Sequence, residues 1–195
     1  SADAIDENSG AGQVIYTATA DDSADVSDGV TFSLAAGSDS ALSIDADSGA
    51  VTLNADPDHE TQSEYNFAVV ATDAAGNVSQ AQSVTLDINN LDDTAAVITS
   101  GDTANAIDEN SGAGQVIYTA TADDSADVSD GVTFSLAAGS DAALSIDAGT
   151  GAVTLNADPD HETQSQYSFT VVATDVAGNE SAGQSVTLDI TDIDD

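Results

Sequence analysis

The segment Ile5-Asp6-Glu7-Asn8-Ser9-Gly10 returns as Ile107-Asp108-Glu109-Asn110-Ser111-Gly112, and Asp56-Pro57-Asp58-His59-Glu60-Thr61 returns as Asp158-Pro159-Asp160-His161-Glu162-Thr163. Both offsets are 102 residues (107 minus 5, 158 minus 56). Roughly five in six paired positions are identical, so the 195 residues hold two tandem copies of one unit. A period of this length is that of a small domain, not of a solenoid repeat, so each copy must close a core of its own. The spacing places the domains at residues 1–93 and 94–195, with Asn90-Leu91-Asp92-Asp93 as an acidic linker. Ala95 to Ser100 precede the second copy and have no counterpart in the first, because Ser1 aligns with Thr103. The chain therefore reads as an excised fragment whose first domain has a truncated opening strand.

Each copy reads as all-β. Tyr65, Phe67, Val69 and Ala71 alternate with Asn66, Ala68 and Val70, and Val84, Leu86 and Ile88 alternate with Thr85 and Asp87. Such a period of two marks half-buried strands. Phe32 with Leu34, Leu42 with Ile44, Val51 with Leu53, and the β-branched run Val14–Thr19 supply shorter strands. Asp28-Gly29, Gly37-Ser38, Ser48-Gly49 and Gly76-Asn77 separate them as turns. No stretch carries a helical period. About seven short strands in a hundred residues predict a Greek-key β-sandwich of the immunoglobulin-like kind, twice over.

The charge adds a second constraint. There are 36 acidic residues and no lysine or arginine, for a formal charge of −36. Apart from His59 and His161, no side chain can neutralise a carboxylate from within. Two like charges about 4 Å apart repel by roughly 4 kcal/mol at an effective dielectric near 20. Acids that cluster on folding therefore call for an external cation, and divalent metal is the first ligand class to consider. The same charge argues against nucleic acid and anionic lipid as partners. No apolar run approaches the length of a membrane span, and no signal segment is visible at the start. With no cysteine, disulfides and thiolate metal sites are excluded, and a small exported domain without disulfides needs another staple such as metal.

The order Ile44-Asp45, Ser48-Gly49-Ala50-Val51, Asp58-His59-Glu60, Tyr65-Asn66-Phe67 and Ala71-Thr72-Asp73, closed by Leu91-Asp92-Asp93, resembles the cadherin-like repeats found in tandem in very large bacterial surface adhesins of the RTX type. In the second copy, Ile98-Thr99 and Asp108-Glu109-Asn110 carry the same likeness. The resemblance implies calcium, several ions held mainly where consecutive domains join. Carried over, the first domain supplies Glu7, Asp58 and Glu60, the linker Asn90, Asp92 and Asp93, and the second domain Asp124, Asp127 and Asp175. Half-sets of the same kind fall at the two ends. Glu109, Asp160, Glu162, Asp192, Asp194 and Asp195 lack a following domain, and Asp22, Asp25 and Asp73 lack a preceding one, so they are expected to bind weakly or not at all. The early loop, Asp123-Asp124-Ser125-Ala126-Asp127, departs from the cadherin pattern of two aspartates one residue apart, which leaves the choice among Asp123, Asp124 and Asp127 open. The linker departs from the cadherin Asp-x-Asn-Asp-Asn, which leaves the number of ions open.

Oxygen-only donors on loops suit calcium, which takes six to eight oxygens and tolerates irregular geometry; magnesium demands a stricter octahedron. Asp58 and Glu60, two apart, would share a face if extended, with His59 opposite. The run from Asp45 to Asp56 mimics the ends of an EF-hand loop, but its glycine is misplaced and Val51–Leu53 reads as strand, so a hairpin turn is expected. His59 and His161, each alone in its unit, are expected to pack on the sandwich face. No catalytic constellation is present, so the chain is not expected to be an enzyme. The functional expectation is a pair of calcium-rigidified extender repeats of a secreted bacterial adhesin. They would project a distal ligand-binding region from the cell surface in adhesion and biofilm formation. Their partners would be neighbouring identical repeats of the same chain, with no nucleic acid, no membrane insertion and a monomeric fragment. The alternative is a cadherin-like module that itself binds a protein, a carbohydrate or its own kind.

Overall fold

The computed structural model describes residues 1–24 and 29–194. The chain divides into two compact units, Ser1–Leu91 and Asp92–Asp195. The described residues contain strands, turns and loops and no helix.

The first unit has strands β1 (Ile5–Asp6), β2 (Gln13–Thr17), β3 (Val30–Leu34), β4 (Leu42–Ile44), β5 (Ala50–Leu53), β6 (Glu64–Asp73) and β7 (Gln82–Asn89). One sheet runs β1-β7-β6-β3 and the other β2-β5-β4. The long antiparallel pair β6 and β7 sets Tyr65 against Leu86 and Phe67 against Val84. Because side chains alternate across a strand, this register sends all four inward together, and all four are buried. They meet Phe32, Leu42, Val51 and Leu53 from the other strands in one core. Tyr16 closes it with an edge-on contact to Phe67, their ring centres 5.8 Å apart. The sequence pattern missed β1, two residues too short to show a period; it pairs in parallel with the end of β7, Ile5 opposite Ile88.

The second unit repeats the arrangement and adds to it. Its strands are β8 (Val97–Ile98), β9 (Ile107–Asp108), β10 (Gln115–Thr119), β11 (Ala122–Asp123), β12 (Val132–Leu136), β13 (Leu144–Ile146), β14 (Ala152–Leu155), β15 (Gln166–Asp175) and β16 (Gln184–Thr191). The sheets run β12-β15-β16-β9 and β10-β14-β13, and β8 pairs with β11 as a separate ribbon. Leu188, Val171, Val153 and Ala173 lie at the centre of the core, fully shielded from solvent.

The Asp45–Asp56 segment is the expected hairpin. Asp45 Oδ1 accepts hydrogen bonds from the Ser48 amide and hydroxyl, both at 2.8 Å, and β5 follows. Those two donors hold the Asp45 carboxyl below the usual carboxylate range. At the end of the turn Gly49 has φ +71°, and its equivalent Gly151 has φ +69°. A Cβ on Gly49 would lie 2.6 Å from the Ala18 carbonyl oxygen. These two positions need glycine for both backbone conformation and space.

Candidate metal centre

In the first unit the Asp-Glu-Asn motif follows β1. Asn8 takes a left-handed conformation, φ +55°, and its amide donates to the Pro57 carbonyl. That bend turns Glu7 inward until it is 2% exposed. Its Oε2 accepts from the His59 amide at 2.8 Å and its Oε1 from the Leu91 amide at 2.6 Å. One buried carboxylate thus ties the Asp58–Thr61 turn to the exit of β7. The turn corrects the extended reading of this segment. Asp58 caps it, accepting from the Thr61 amide at 2.8 Å and the Thr61 hydroxyl at 2.9 Å, and the Gln62 amide closes it onto the Asp58 carbonyl. His59 therefore does not lie opposite Glu60; its Nδ1 is 3.5 Å from Glu60 Oε1. Its side chain is partly buried. Glu60 and Asn90 are exposed.

The second unit repeats this corner with Glu109, which accepts from the His161 and Ile193 amides. The Ile193 and His161 amides hold the Glu109 carboxyl low. One oxygen from each of Glu109, Asp160 and Glu162 lies within 4.8 Å of the other two. Asp192 is exposed, with Oδ2 3.8 Å from His161 Nδ1, and Asp194 is exposed. Asp195 lies outside the described residues.

At the other end of the second unit the acids behave differently. Asp92, Asp124 and Asp175 each present an Oδ2 that is shielded from solvent and accepts no hydrogen bond. Burial, the Asp175 charge and then Asp130, Asp127 and Asp124 push the Asp92 carboxyl up. Asp124 is raised in the same way, by burial first and then by Asp175, Asp130 and Asp127. Burial also works to raise Asp175, but the Asn179 amide, the nearby Asn179 side chain and the Gly178 amide outweigh it and hold that carboxyl low. Asp127 anchors the linker, its Oδ2 accepting from the Asp93 amide at 2.8 Å and the Thr94 amide at 3.1 Å. Asp93 is exposed. Asp123, by contrast, is turned to its own loop, accepting from Ser125 at 3.0 Å.

Asn179 is a residue that the sequence pattern did not single out. Its Nδ2 donates to the Asp92 carbonyl at 3.1 Å and to Asp92 Oδ1 at 3.4 Å. Asp130 was missed as well. The first unit shows the contrast: Asn77, the counterpart of Asn179, donates through its own Nδ2 to Asp73 Oδ2 at 2.7 Å. Asp73 is thereby satisfied, whereas Asp175 Oδ2 is not. Asp22 Oδ2 is shielded and accepts no hydrogen bond, and Asp25 lies outside the described residues.

Shielded carboxylate oxygens without a donor are costly, and here the Asp175 charge adds to the cost at Asp92 and Asp124. A hard divalent cation with oxygen ligands fits this donor set. Calcium suits the mixture of carboxylates, the Asp92 carbonyl and loop geometry better than magnesium does.

The fold and these acid nests define a tandem pair of β-sandwiches with carboxylate-lined ends. The cadherin domain model matches residues 3–89 and 104–191, and the chain belongs to the cadherin family. It is 28% identical over 186 residues to human protocadherin Fat 1, a match that takes in 93% of this chain but only 4% of that protein's length. Among solved structures, human protocadherin-24 EC1-2 superposes with a TM-score of 0.76 at 18% identity, covering 98% of this chain and 94% of that one. Mouse cadherin-23 EC22-24 gives 0.73 at 22%, covering 98% and 63%. Drosophila N-cadherin EC1-4 gives 0.74 at 22%, covering 98% and 47%. At these identities the structural likeness establishes the fold. Among the described residues no helix is long and apolar enough to cross a membrane.

Proposed function

We propose that the chain is a calcium-stiffened spacer in an extracellular adhesion protein. The observation that carries the reading is the set of shielded, unsatisfied oxygens on Asp92, Asp124 and Asp175 in a chain without lysine or arginine. In this reading Asp92, Asp93, Asp124, Asp127 and Asp175 hold calcium together with Glu7, Asp58, Glu60 and Asn90. The bound ions supply positive charge that removes the repulsion among these acids and limits the freedom of the linker. The chain's own residues do the rest. Glu7 holds the exit of β7 in place, Asp127 holds the Asp93 and Thr94 amides, and Asn179 orients Asp92. Extracellular modules of this type work at dissociation constants of about 10⁻⁴–10⁻³ M.

The parent we propose is a surface adhesin of the bacterial extender type. The near-identity of the two copies supports it, since tandem copies this alike suit a spacer built from many interchangeable units. The named relatives are animal proteins, so this part of the reading rests on the sequence resemblance. Large aromatic anchors favour a self-binding module over a spacer; here Phe32, Phe67, Tyr65, Phe134, Phe169 and Tyr167 are all buried, which favours the spacer.

Small-angle scattering of the 195-residue chain tests the proposal. The maximum dimension is expected to be well defined in calcium and to become broadly distributed in chelator, with Asp92→Ala behaving in calcium as the parent does in chelator. Identical profiles in the two buffers would sink it.

A charge-only substitution gives a sharper sign. Asp92 carries a raised carboxyl pKa, so its ionised form destabilises the metal-free fold above that pKa, and the penalty is lifted as pH falls through it. Asp92→Asn removes the same penalty at neutral pH. In chelator the substitution is expected to raise the Tm of the second unit; in calcium it is expected to lower it, because a ligand is lost. A change of the same sign in both buffers, followed by circular dichroism, would contradict a metal role for Asp92.

A further inference from the structure

Asn179 projects from the turn that follows β15, and that turn is fixed by its own main chain. Asp175 caps it, Oδ1 accepting the Gly178 amide at 2.7 Å and the Asn179 amide at 2.8 Å. The Asp175 amide donates to the Asn179 carbonyl at 3.2 Å. Thr174 pairs with Glu180 in an antiparallel bridge. Ser181 then laces the exit to Ala173, its amide donating to the Ala173 carbonyl at 2.8 Å and its hydroxyl accepting the Ala173 amide at 2.9 Å. From this base the half-buried Asn179 side chain reaches Asp92 at two atoms, the main-chain carbonyl and the carboxylate Oδ1. Both atoms are acceptors only, so the donor end of the amide must face them. The next two linker amides, of Asp93 and Thr94, are held by Asp127 Oδ2. Two loops of the second unit thus grip residues 92–94 through protein hydrogen bonds.

We propose that Asn179 is the positioning residue that assembles this nest ahead of the cation and thereby sets its affinity. Asn179 acts through Asp92. By engaging both the carbonyl and Oδ1 it fixes the linker on the second unit and leaves Oδ2 as the shielded oxygen that accepts no hydrogen bond. Asp92, Asp124 and Asp175 then present such oxygens together, so an arriving ion has no linker left to order. The residue type suits the task. A lysine or arginine here would carry a charge of its own and compete with the cation, whereas an amide donates hydrogen bonds and adds no charge. Partners that orient a metal ligand in this way are typically worth about 10–100-fold in metal affinity. The inference rests on the calcium reading above and names the residue on which the strength of binding depends.

The test is a titration of the 195-residue chain and of its Asn179→Ala variant with calcium chloride, followed by amide NMR. The variant keeps the main-chain bonds to Asp175, so the second unit is expected to fold, which circular dichroism checks. The calcium midpoint read at Asp124 and Gly178 is expected to move to about tenfold higher concentration in the variant. In chelator the Asp92 and Asp93 amides of the parent are expected to be as ordered, by heteronuclear relaxation, as those of β15, and to loosen in the variant. One signature needs no variant: the Asn179 Nδ2 protons should exchange slowly with water in chelator, because Asp92 engages them. Fast exchange at Nδ2, a disordered Asp92 in the parent, or equal calcium midpoints in the two chains would each overturn the positioning role and leave the calcium reading standing. A parent chain with no calcium-dependent shift at Asp124 would overturn both.

Discussion

Removing calcium at constant ionic strength is expected to lower the Tm of the second unit by about 10–20 °C, on a scale of about 4–8 °C per kcal/mol for a domain of this size. The driving term is mass action: one site at a hundredfold excess of free ion over its dissociation constant adds about 2.7 kcal/mol to the folded state. The folded state alone assembles Asp92, Asp124 and Asp175 with shielded oxygens, so the unfolded chain offers no comparable site. The acids' mutual repulsion, which adds to burial in raising Asp92 and Asp124, is relieved by the same event. Differential scanning calorimetry in calcium and in chelator, each balanced with sodium chloride, is the measurement. General screening by salt would act equally in both buffers. Superimposable transitions would therefore remove the metal from the account of this fold's stability.

Gly151→Ala is expected to cost the second unit about 2–4 kcal/mol, the sum of a left-handed backbone penalty and a steric one. Gly151 has φ +69°, and an added Cβ would lie 2.5 Å from the Ala120 carbonyl oxygen and 3.1 Å from the Ala120 side chain. Neither neighbour can give way easily. Ala120 is 2% exposed, and its amide donates to the Gly151 carbonyl at 2.8 Å, so the contact lies where β10 and β14 are laced together. Urea denaturation should show the loss with and without calcium, since the site lies away from the acid nests. A control, Gly139→Ala, shares the positive φ, at +94°, but its Cβ would meet nothing within 4 Å, so it should cost only the backbone part, about 1–2 kcal/mol. Equal losses for the two would show that crowding at Ala120 contributes nothing.

The long strands were legible from residue order because burial on one face imposes a period of two. Tyr65, Phe67 and Val69 show it in β6, and Val84, Leu86 and Ile88 in β7. Two-residue strands such as β1, β8 and β11 carry no period, and they exist only because a partner strand offers an edge. Among candidate ligands, Glu7 stood out through its motif, but its 2% exposure and its two amide partners arise from the bend at Asn8. The choice among Asp123, Asp124 and Asp127 could not be made from spacing. In the fold Asp123 accepts from Ser125, Asp127 from the linker amides, and Asp124 keeps a shielded free oxygen. Asp58 and Glu60 were read as extended neighbours, yet Thr61 captures Asp58 in a turn.

By itself, residue order determined that there are two copies of one all-β domain, that the acids have no internal cation of Lys or Arg type, and that any compensation must come from outside. These follow from composition, repetition and local alternation, which are properties of a chain read one window at a time. Tertiary structure alone decided which carboxylates stay satisfied and which do not. Asp175 Oδ1 is served by the Gly178 and Asn179 amides while its Oδ2 stays shielded and unserved, and the Asn179 side chain reaches Asp92, 87 residues away along the chain. A hydrogen-bond donor can serve only the acceptors within its reach, and reach across that separation is set by how the strands pack.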